Sequence, residues 1–446
     1  MSSIKFTHPC HWTTIERHLE EATGERFAFA FTDLVSNGAK GPVVEVIDVV
    51  LIDDSEVEAH RSGWSISDDA LDRVHNQAAA SGSGLIEFHN HRLGPPGFST
   101  TDEKALAPMA AYVTDLLGDF YGAAVWAEGT LHAEWWRPIA NGDIERDTFS
   151  TVTVLGDHLR VLNSPPVNDR RFGRQLPLLG PRGQSAIARL RIAIVGAGGT
   201  GSHAALQLAH MGFRHVTVLD DDMVEESNLN RLVTADRADL GLPKNLVAKR
   251  RMQSVDERCQ VQAFGALTAG GRHPELLDVD LIIGCVDHDG ARHRLNQIAI
   301  AGRIPYIDIA TGVDDSFYPM AVGGRVILMR PGRPCLTCLG ELDSAEIGRW
   351  AKPADQQALD RLHGYGTGTP NPSVVYLNGL SVSAALAELA AWVSGSRPPA
   401  EWLDIDLIGT STMPGVHIGP VGLGDPAPNC IDCSRRKATP GATLVG

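Results

Sequence analysis

The sequence predicts a chain of two α/β domains, the second built on a mainly parallel sheet. Three observations carry that prediction. From Arg191 onward, short strand-like runs alternate with helix-patterned segments, which implies a sheet covered by helices on both faces. Residues 1–140 have a different texture, mixing an early helical stretch with brief alternating strands. The length of 446 residues, 43% of them hydrophobic, is enough to bury two or three cores.

Along the chain, helical periodicity runs from Thr13 to Thr23, followed by strand-like RFAFAF (26–31), VVEVIDVVLI (43–52) and GLIEFHNH (84–91). A helix is expected over 67–80 and a last strand pair over 123–136. Residues 141–185 are polar and irregular and read as a linker with an arginine-bearing helical piece. Then come strand IAIVGAG, helix SHAALQLAHMG, strand VTVLD, helix KNLVAKRRMQSV, strand DLIIGCVD, helix GARHRLNQIAIAG and strand PYIDIA. The expected domains are therefore 1–140 and 186–446, joined by 141–185.

Composition excludes several classes. A net charge of −15 argues against a nucleic-acid surface or an anionic-membrane surface, either of which needs clustered Lys and Arg. Apolar runs fall short of the roughly 18 residues of a span, and the polar N-terminus lacks a leader pattern. Seven cysteines are too few for a disulfide framework, and four stand as two C-x-x-C pairs. A cytoplasmic protein is expected.

The first chemical signal is His89 and His91, with Ser99 and Asp102 following at fixed spacing. Alternation on a strand puts both imidazoles on one face. Two imidazoles plus a returning carboxylate give three zinc ligands with a fourth position open, the arrangement of a catalytic site. Zinc lowers the pKa of bound water, a nearby carboxylate can take its proton, and Ser99 can donate to a developing oxyanion. The pattern H-x-H-x7-S-x2-D resembles that of the JAMM (JAB/MPN+) metalloisopeptidases over about the first 140 residues. That resemblance implies a glutamate general base near the first strand: Glu25, with Glu45 as the fallback. Arg92 departs from the proline common after the second histidine.

The second signal is the glycine-rich turn Gly196, Gly198, Gly199 and Gly201 between a strand and a helix, where backbone N–H groups meet a phosphate chain. Asp220 ends the next strand, placed for ribose hydroxyls. The continuation, DDDMVEESNLNRL, GLPKN and CVDHDGARHRLN, resembles the E1-like adenylyltransferases of the ThiF/MoeB type from about 170 to 435. The resemblance implies ATP and Mg²⁺, with Asp220 on the ribose and Asn228, Arg231 and Lys244 on the triphosphate. It puts Asp287 at the magnesium and α-phosphate, with Arg292 just after it. In RRFGRQ it makes Arg174 the arginine that reaches the partner subunit of a homodimer. Cys335, Cys338, Cys430 and Cys433 form a closed set for a structural zinc.

No cysteine lies between Cys338 and Cys430, where many E1-like enzymes carry a catalytic one. Cys285 reads as a core residue, while Cys10 and Cys259 carry no motif. Thr367 and Thr369 fall near the missing position, in a stretch that also reads simply as a glycine-rich loop. The two resemblances together imply a bifunctional enzyme acting on a ubiquitin-like protein with a C-terminal glycine. Its peptidase would cut after that glycine and its adenylyltransferase would join the glycine to AMP. The sequence leans to conjugation through an E2-like partner. The alternatives are thiocarboxylate formation with a sulfurtransferase, or one half retained only for binding.

Overall fold

The computed structural model describes residues 2–433 apart from 22–23, 39–40, 61–62, 93, 140–141, 167–168, 315–320, 354–355, 357–372 and 410–414. The chain divides into two units, Met1–Val167 and Asn168–Gly446.

In the first unit the strands are β1 (Ser3–Phe6), β2 (Phe27–Gly38), β3 (Gly41–Leu51), β4 (Val57–His60), β5 (Gly63–Ile66) and β6 (Gly84–Asn90). They continue with β7 (Tyr121–Ala127), β8 (Thr130–Pro138), β9 (Ile144–Thr148), β10 (Thr151–Leu155) and β11 (Leu159–Val161). The helices are α1 (Pro9–Glu20), α2 (Asp68–Ser81) and α3 (Thr100–Leu117). Nine strands form one mixed sheet in the order β11-β10-β1-β3-β2-β6-β7-β8-β9, and β4 with β5 makes a separate hairpin. Period-two alternation sorts RFAFAF between two cores. Ala28 and Ala30 join Trp12, Ile15 and Leu19 of α1. Phe27, Phe29 and Phe31 join Val74 and Ala78 of α2 and Val113 of α3. On β6, Leu85 lies in the second core, so Glu87 and His89 share the α3 side.

The expected linker is partly sheet. Residues 144–161 supply β9, β10 and β11, and β10 pairs in parallel with β1 from Ser3↔Thr151 to Phe6↔Val154. The first unit thus runs to residue 167 rather than 140, because this pairing spans a sequence separation that leaves no local signal.

The second unit contains α4 (Leu176–Arg189), β12 (Arg191–Val195), α5 (Gly199–Met211), β13 (His215–Leu219), α6 (Lys244–Val255) and β14 (Gln260–Phe264). Next come α7 (Pro274–Leu277), β15 (Leu281–Gly284), α8 (Asp289–Gly302), β16 (Tyr306–Asp314) and β17 (Ala321–Met329). After these are α9 (Leu336–Leu339), α10 (Ser344–Trp350), α11 (Val375–Ser394), β18 (Trp402–Asp406) and β19 (His417–Pro420). The sheet order is β14-β13-β12-β15-β16-β17-β18-β19. β14 to β16 are parallel, whereas β17, β18 and β19 turn back antiparallel. The sheet is therefore mixed, its five parallel strands carrying the mainly parallel sheet expected and its last three strands adding an antiparallel extension.

Buried Arg191 and Asp280 pair at the start of β12 and β15, with Nη2–Oδ1 2.6 Å and Nε–Oδ2 3.0 Å. Contrary to the sequence expectation, α11 is long and apolar enough to cross a membrane by length and composition. It packs on α4, α5, β16 and β17, and 67% of its most apolar stretch is buried inside the unit.

Candidate functional site

In the second unit a cleft of about 1080 Å³ opens at the C-terminal ends of β12, β13 and β15. The turn from β12 into α5 forms its floor. Gly196 has φ +89°, and a Cβ there would sit 2.6 Å from the Cys285 carbonyl oxygen. Gly201 packs tighter still, its missing Cβ falling 1.8 Å from Gly196 O. These glycines let the helix N-terminus close onto the strand and leave Gly198 and Gly199 facing the cleft.

The expected nucleotide residues gather here. Asp220 Oδ2 accepts from Ala197 N–H at 2.6 Å and Oδ1 from Asp222 N–H at 2.9 Å, so the carboxylate ties the turn to β13. Burial pushes the Asp220 carboxyl up, against those two N–H bonds and the Lys244 charge. Lys244 Nζ lies 2.7 Å from Asp222 Oδ2. Arg231 donates to Ser227 O at 2.8 Å and its stem packs against Gly199. Asn228 is buried, accepting from Glu225 N–H at 3.3 Å, and it lines the cleft with Arg231, Lys244 and Asp287.

Arg292 borders the cleft, but its guanidinium is engaged elsewhere. It donates to both Asp308 oxygens at 3.0 and 2.9 Å and to Val286 O at 2.6 Å, holding the strand end next to Asp287. Arg174 is exposed and is not among the residues lining this cleft. Cys285 is half-buried at the edge of the cleft, and burial pushes its thiol up to about 12, which works against a role as nucleophile. Thr367 and Thr369 lie outside the described residues.

Sequence reasoning missed Asn378. It is fully buried in α11, donates to Ser373 Oγ at 3.0 Å, and accepts from Thr311 Oγ1 at 3.2 Å and Thr200 Oγ1 at 3.4 Å. Its amide lies directly under Gly199. The available signal was one amide inside the apolar run VYLNGLSVSAALAELAAWVS.

The four cysteines meet as expected. The sulfurs of Cys335 and Cys430 are 3.6 Å apart, those of Cys338 and Cys433 3.4 Å, and those of Cys335 and Cys338 3.7 Å. These separations are close to the roughly 3.8 Å edge of a tetrahedral site with zinc–sulfur bonds near 2.3 Å. Asp432 locks the knuckle to α8, taking hydrogen bonds from Thr337 Oγ1 at 2.5 Å and His293 Nε2 at 3.1 Å.

In the first unit His89, His91 and Asp102 converge, their candidate ligand atoms all within 4.8 Å of one another. Asp102 Oδ2 is 3.2 Å from His91 Nε2, and Oδ1 is 3.7 Å from His89 Nε2. His89 is buried, and neither ring nitrogen has a hydrogen-bond partner among the described residues, a vacancy a metal ion fits. Ser99 caps α3: Asp102 N–H donates to its Oγ at 3.2 Å and its own N–H donates to Asp102 Oδ2 at 2.5 Å. Burial works against the Asp102 charge, yet His89 and Ser99 hold its carboxyl well below the usual range.

The register sets the two glutamates at different distances from the histidines. Phe27 pairs with His89, so Glu25 continues β2 towards His91, and burial pushes its carboxyl up against the charges of His89 and His91. Glu45 pairs with Asp33, six residues further along β2, and takes a hydrogen bond from Thr7 Oγ1 at 2.5 Å. At about 3.3 Å per residue it lies roughly 20 Å from the histidines. Another residue the sequence did not reveal is Glu87, buried behind His89, where Tyr121 OH donates to it at 2.8 Å.

Comparison with known proteins places the second unit. Residues 172–406 match the model of the ThiF family. Over 172 residues the chain is 34% identical to the sulfur carrier protein adenylyltransferase of Thermus thermophilus, covering 38% of this chain and 63% of that protein. It is 32% identical to the adenylyltransferase and sulfurtransferase UBA4 of Yarrowia lipolytica, of which it spans 41%. With the molybdopterin-synthase adenylyltransferase of Escherichia coli it shares 28% identity over 224 residues, 46% of this chain and 87% of that one. The chain thus spans about two fifths to two thirds of the first two relatives. The residues matched by the family model make up more than half of its own length, and on that ground the chain belongs to the ThiF family.

Proposed function

We propose that the second unit adenylates the C-terminal carboxylate of a small sulfur-carrier or ubiquitin-like protein, leading to a thiocarboxylate. The observation that carries this reading is the single cleft that brings Asp220, Asn228, Arg231, Lys244 and Asp287 around the glycine turn. The relatives named for sulfur carriers favour thiocarboxylate formation over the conjugation route towards which the sequence leaned. The lack of any cysteine between Cys338 and Cys430 agrees, since an acyl-adenylate attacked by a persulfide needs no thioester on this chain.

Bound ATP with Mg²⁺ supplies an electrophilic α-phosphorus and a pyrophosphate leaving group. The turn N–H groups at the start of α5 cradle phosphate oxygens. Asp220 keeps lone pairs for ribose hydroxyls while its two backbone bonds fix its orientation. Lys244 and Arg231 offset charge growing on the leaving pyrophosphate, Lys244 exchanging Asp222 for phosphate. Asp287 would hold Mg²⁺, on a loop steadied by Arg292 and Asp308. The carboxylate oxygen bonds to the α-phosphorus as the bond to the bridging oxygen breaks, giving acyl-AMP and pyrophosphate. Exposed Arg174 would complete the cleft of a second copy, and the four cysteines would hold a structural zinc.

The test is ATP–pyrophosphate exchange with a sulfur carrier protein ending in glycine. Asp287→Ala is expected to lower exchange at least ~100-fold, as loss of one transition-state contact does. Wild-type protein given ATP, a persulfide donor and a thiol reductant should yield the thiocarboxylate by mass, the outer sulfur displacing AMP and the thiol then cleaving the S–S bond of the acyl disulfide. Exchange that is independent of Asp287 would refute the assignment.

A second reading concerns the first unit and rests on the convergence of Glu25, His89, His91, Ser99 and Asp102. It is a zinc-dependent peptidase that cuts after the carrier's terminal glycine. His89, His91 and Asp102 would hold zinc, which supplies Lewis acidity and an acidified water. Glu25, its carboxyl raised by burial, takes and returns the proton, and the Ser99 hydroxyl donates to the developing oxyanion.

A further inference from the structure

We propose that Asn90, the residue between the two histidines, is a positioning residue that holds Glu25 over the His89–His91–Asp102 set. This rests on the peptidase reading of that set. The β2–β6 ladder ends at Phe27↔His89, so Arg26 and Glu25 lie beyond the last paired residue. Continuing the register would set Arg26 opposite Asn90 and Glu25 opposite His91. Backbone pairing stops there, and the Asn90 side chain takes over. Its Oδ1 accepts from Arg26 N–H at 2.7 Å and its Nδ2 donates to Gly24 C=O at 3.4 Å. The two bonds straddle Glu25, gripping the residue before it and the residue after it.

The chemistry selects an amide. The frayed strand end offers one donor and one acceptor, and a carboxamide presents the complementary pair on one short side chain. Asn90 is buried, so water does not compete for either bond. Alternation turns its side chain away from the face used by His89 and His91, which leaves both imidazoles free.

Two further contacts confine the same segment. Arg26 donates to Asp54 at 2.8 and 2.9 Å and to His18 O at 3.2 Å. The Trp64 ring lies 3.0 Å from where a Gly24 Cβ would be. The Asp54 pair is largely exposed, so it contributes little to the hold. Asn90 is the buried contact common to both sides of Glu25.

The experiment compares Asn90→Ala, Asn90→Asp, Glu25→Ala and the Asn90→Ala/Glu25→Ala pair in the full chain. Three quantities are read: hydrogen exchange at the Arg26 amide, zinc affinity by chelator competition, and cleavage of a ubiquitin-like protein extended beyond its terminal glycine. Asn90→Ala should speed exchange at Arg26 about tenfold or more, as loss of a buried hydrogen bond does. Zinc affinity should stay within about threefold, because no ligand is removed. The kcat should fall about 10- to 100-fold with KM unchanged, the effect of a displaced base. Adding Glu25→Ala should bring no further multiplicative loss. Asn90→Asp keeps the acceptor for Arg26 N–H and should recover its protection, but it sets a carboxylate oxygen against Gly24 C=O and should recover kcat only in part. Unchanged exchange at Arg26, or multiplicative losses in the double variant, would overturn the proposal. If wild-type protein does not cleave the extended substrate, the peptidase reading fails, and exchange at Arg26 alone decides whether Asn90 holds the segment.

Discussion

Gly201→Ala puts a single methyl group at the tightest point of the nucleotide turn. The new Cβ would lie 1.8 Å from Gly196 O and 2.8 Å from its carbonyl carbon, whereas real Cβ atoms keep at least 3.0 Å. The turn would therefore have to open by about 1.2 Å, the gap between the first distance and that limit. Gly196 cannot yield easily: its N–H is bonded to Leu219 O at 2.8 Å and Cys285 O stands behind it. Overpacking of this kind costs about 1–3 kcal/mol, or more where backbone must move. In a unit of this size that lowers the melting temperature by roughly 2–10 °C. A displacement of an ångström at the phosphate cradle should weaken ATP binding about 100-fold. Gly198→Ala is the contrast. Its Cβ would meet open space and its φ of −74° suits alanine, so stability should hold while ATP affinity falls. Thermal melting and calorimetric titration with Mg-ATP measure both quantities. A Gly201→Ala protein that melts and binds ATP like wild type would refute the packing argument.

Two more outcomes follow from the metal sites and the core. Elemental analysis should find two zinc equivalents per chain: His89→Ala removes one without changing Mg-ATP affinity, and Cys430→Ser removes the other and lowers the melting temperature of the second unit. Asp280→Ala should destabilise that unit by about 3–5 kcal/mol in urea titration, because the buried Arg191 guanidinium loses the carboxylate that faces it. A loss below ~1 kcal/mol would mean that the pair is dispensable.

The chemistry-bearing motifs were legible because each is local or fixed by spacing. GAGGTG between a strand and a helix needs no distant partner to specify its turn, and the structure places it on the cleft floor. H-x-H on a strand sets two imidazoles on one face by alternation alone, and the two C-x-x-C pairs announced their own union. Tertiary structure decided whatever depends on a neighbour remote in sequence. The β10–β1 pairing moved the unit boundary to 167, since parallel strands so far apart in the chain share no local signal. Register separated Glu25 from Glu45, which composition and proximity to a strand could not do. The motif position of Arg292 suggested a nucleotide contact, but Asp308, fixed by the neighbouring strand, claims its guanidinium. Asn90 and Asn378 looked like ordinary polar residues in the sequence. Only burial beside the backbone of Gly24 and Arg26, and beneath the close approach at Gly199, gives them work, because a hydrogen bond gains its meaning from what water has been excluded from reaching.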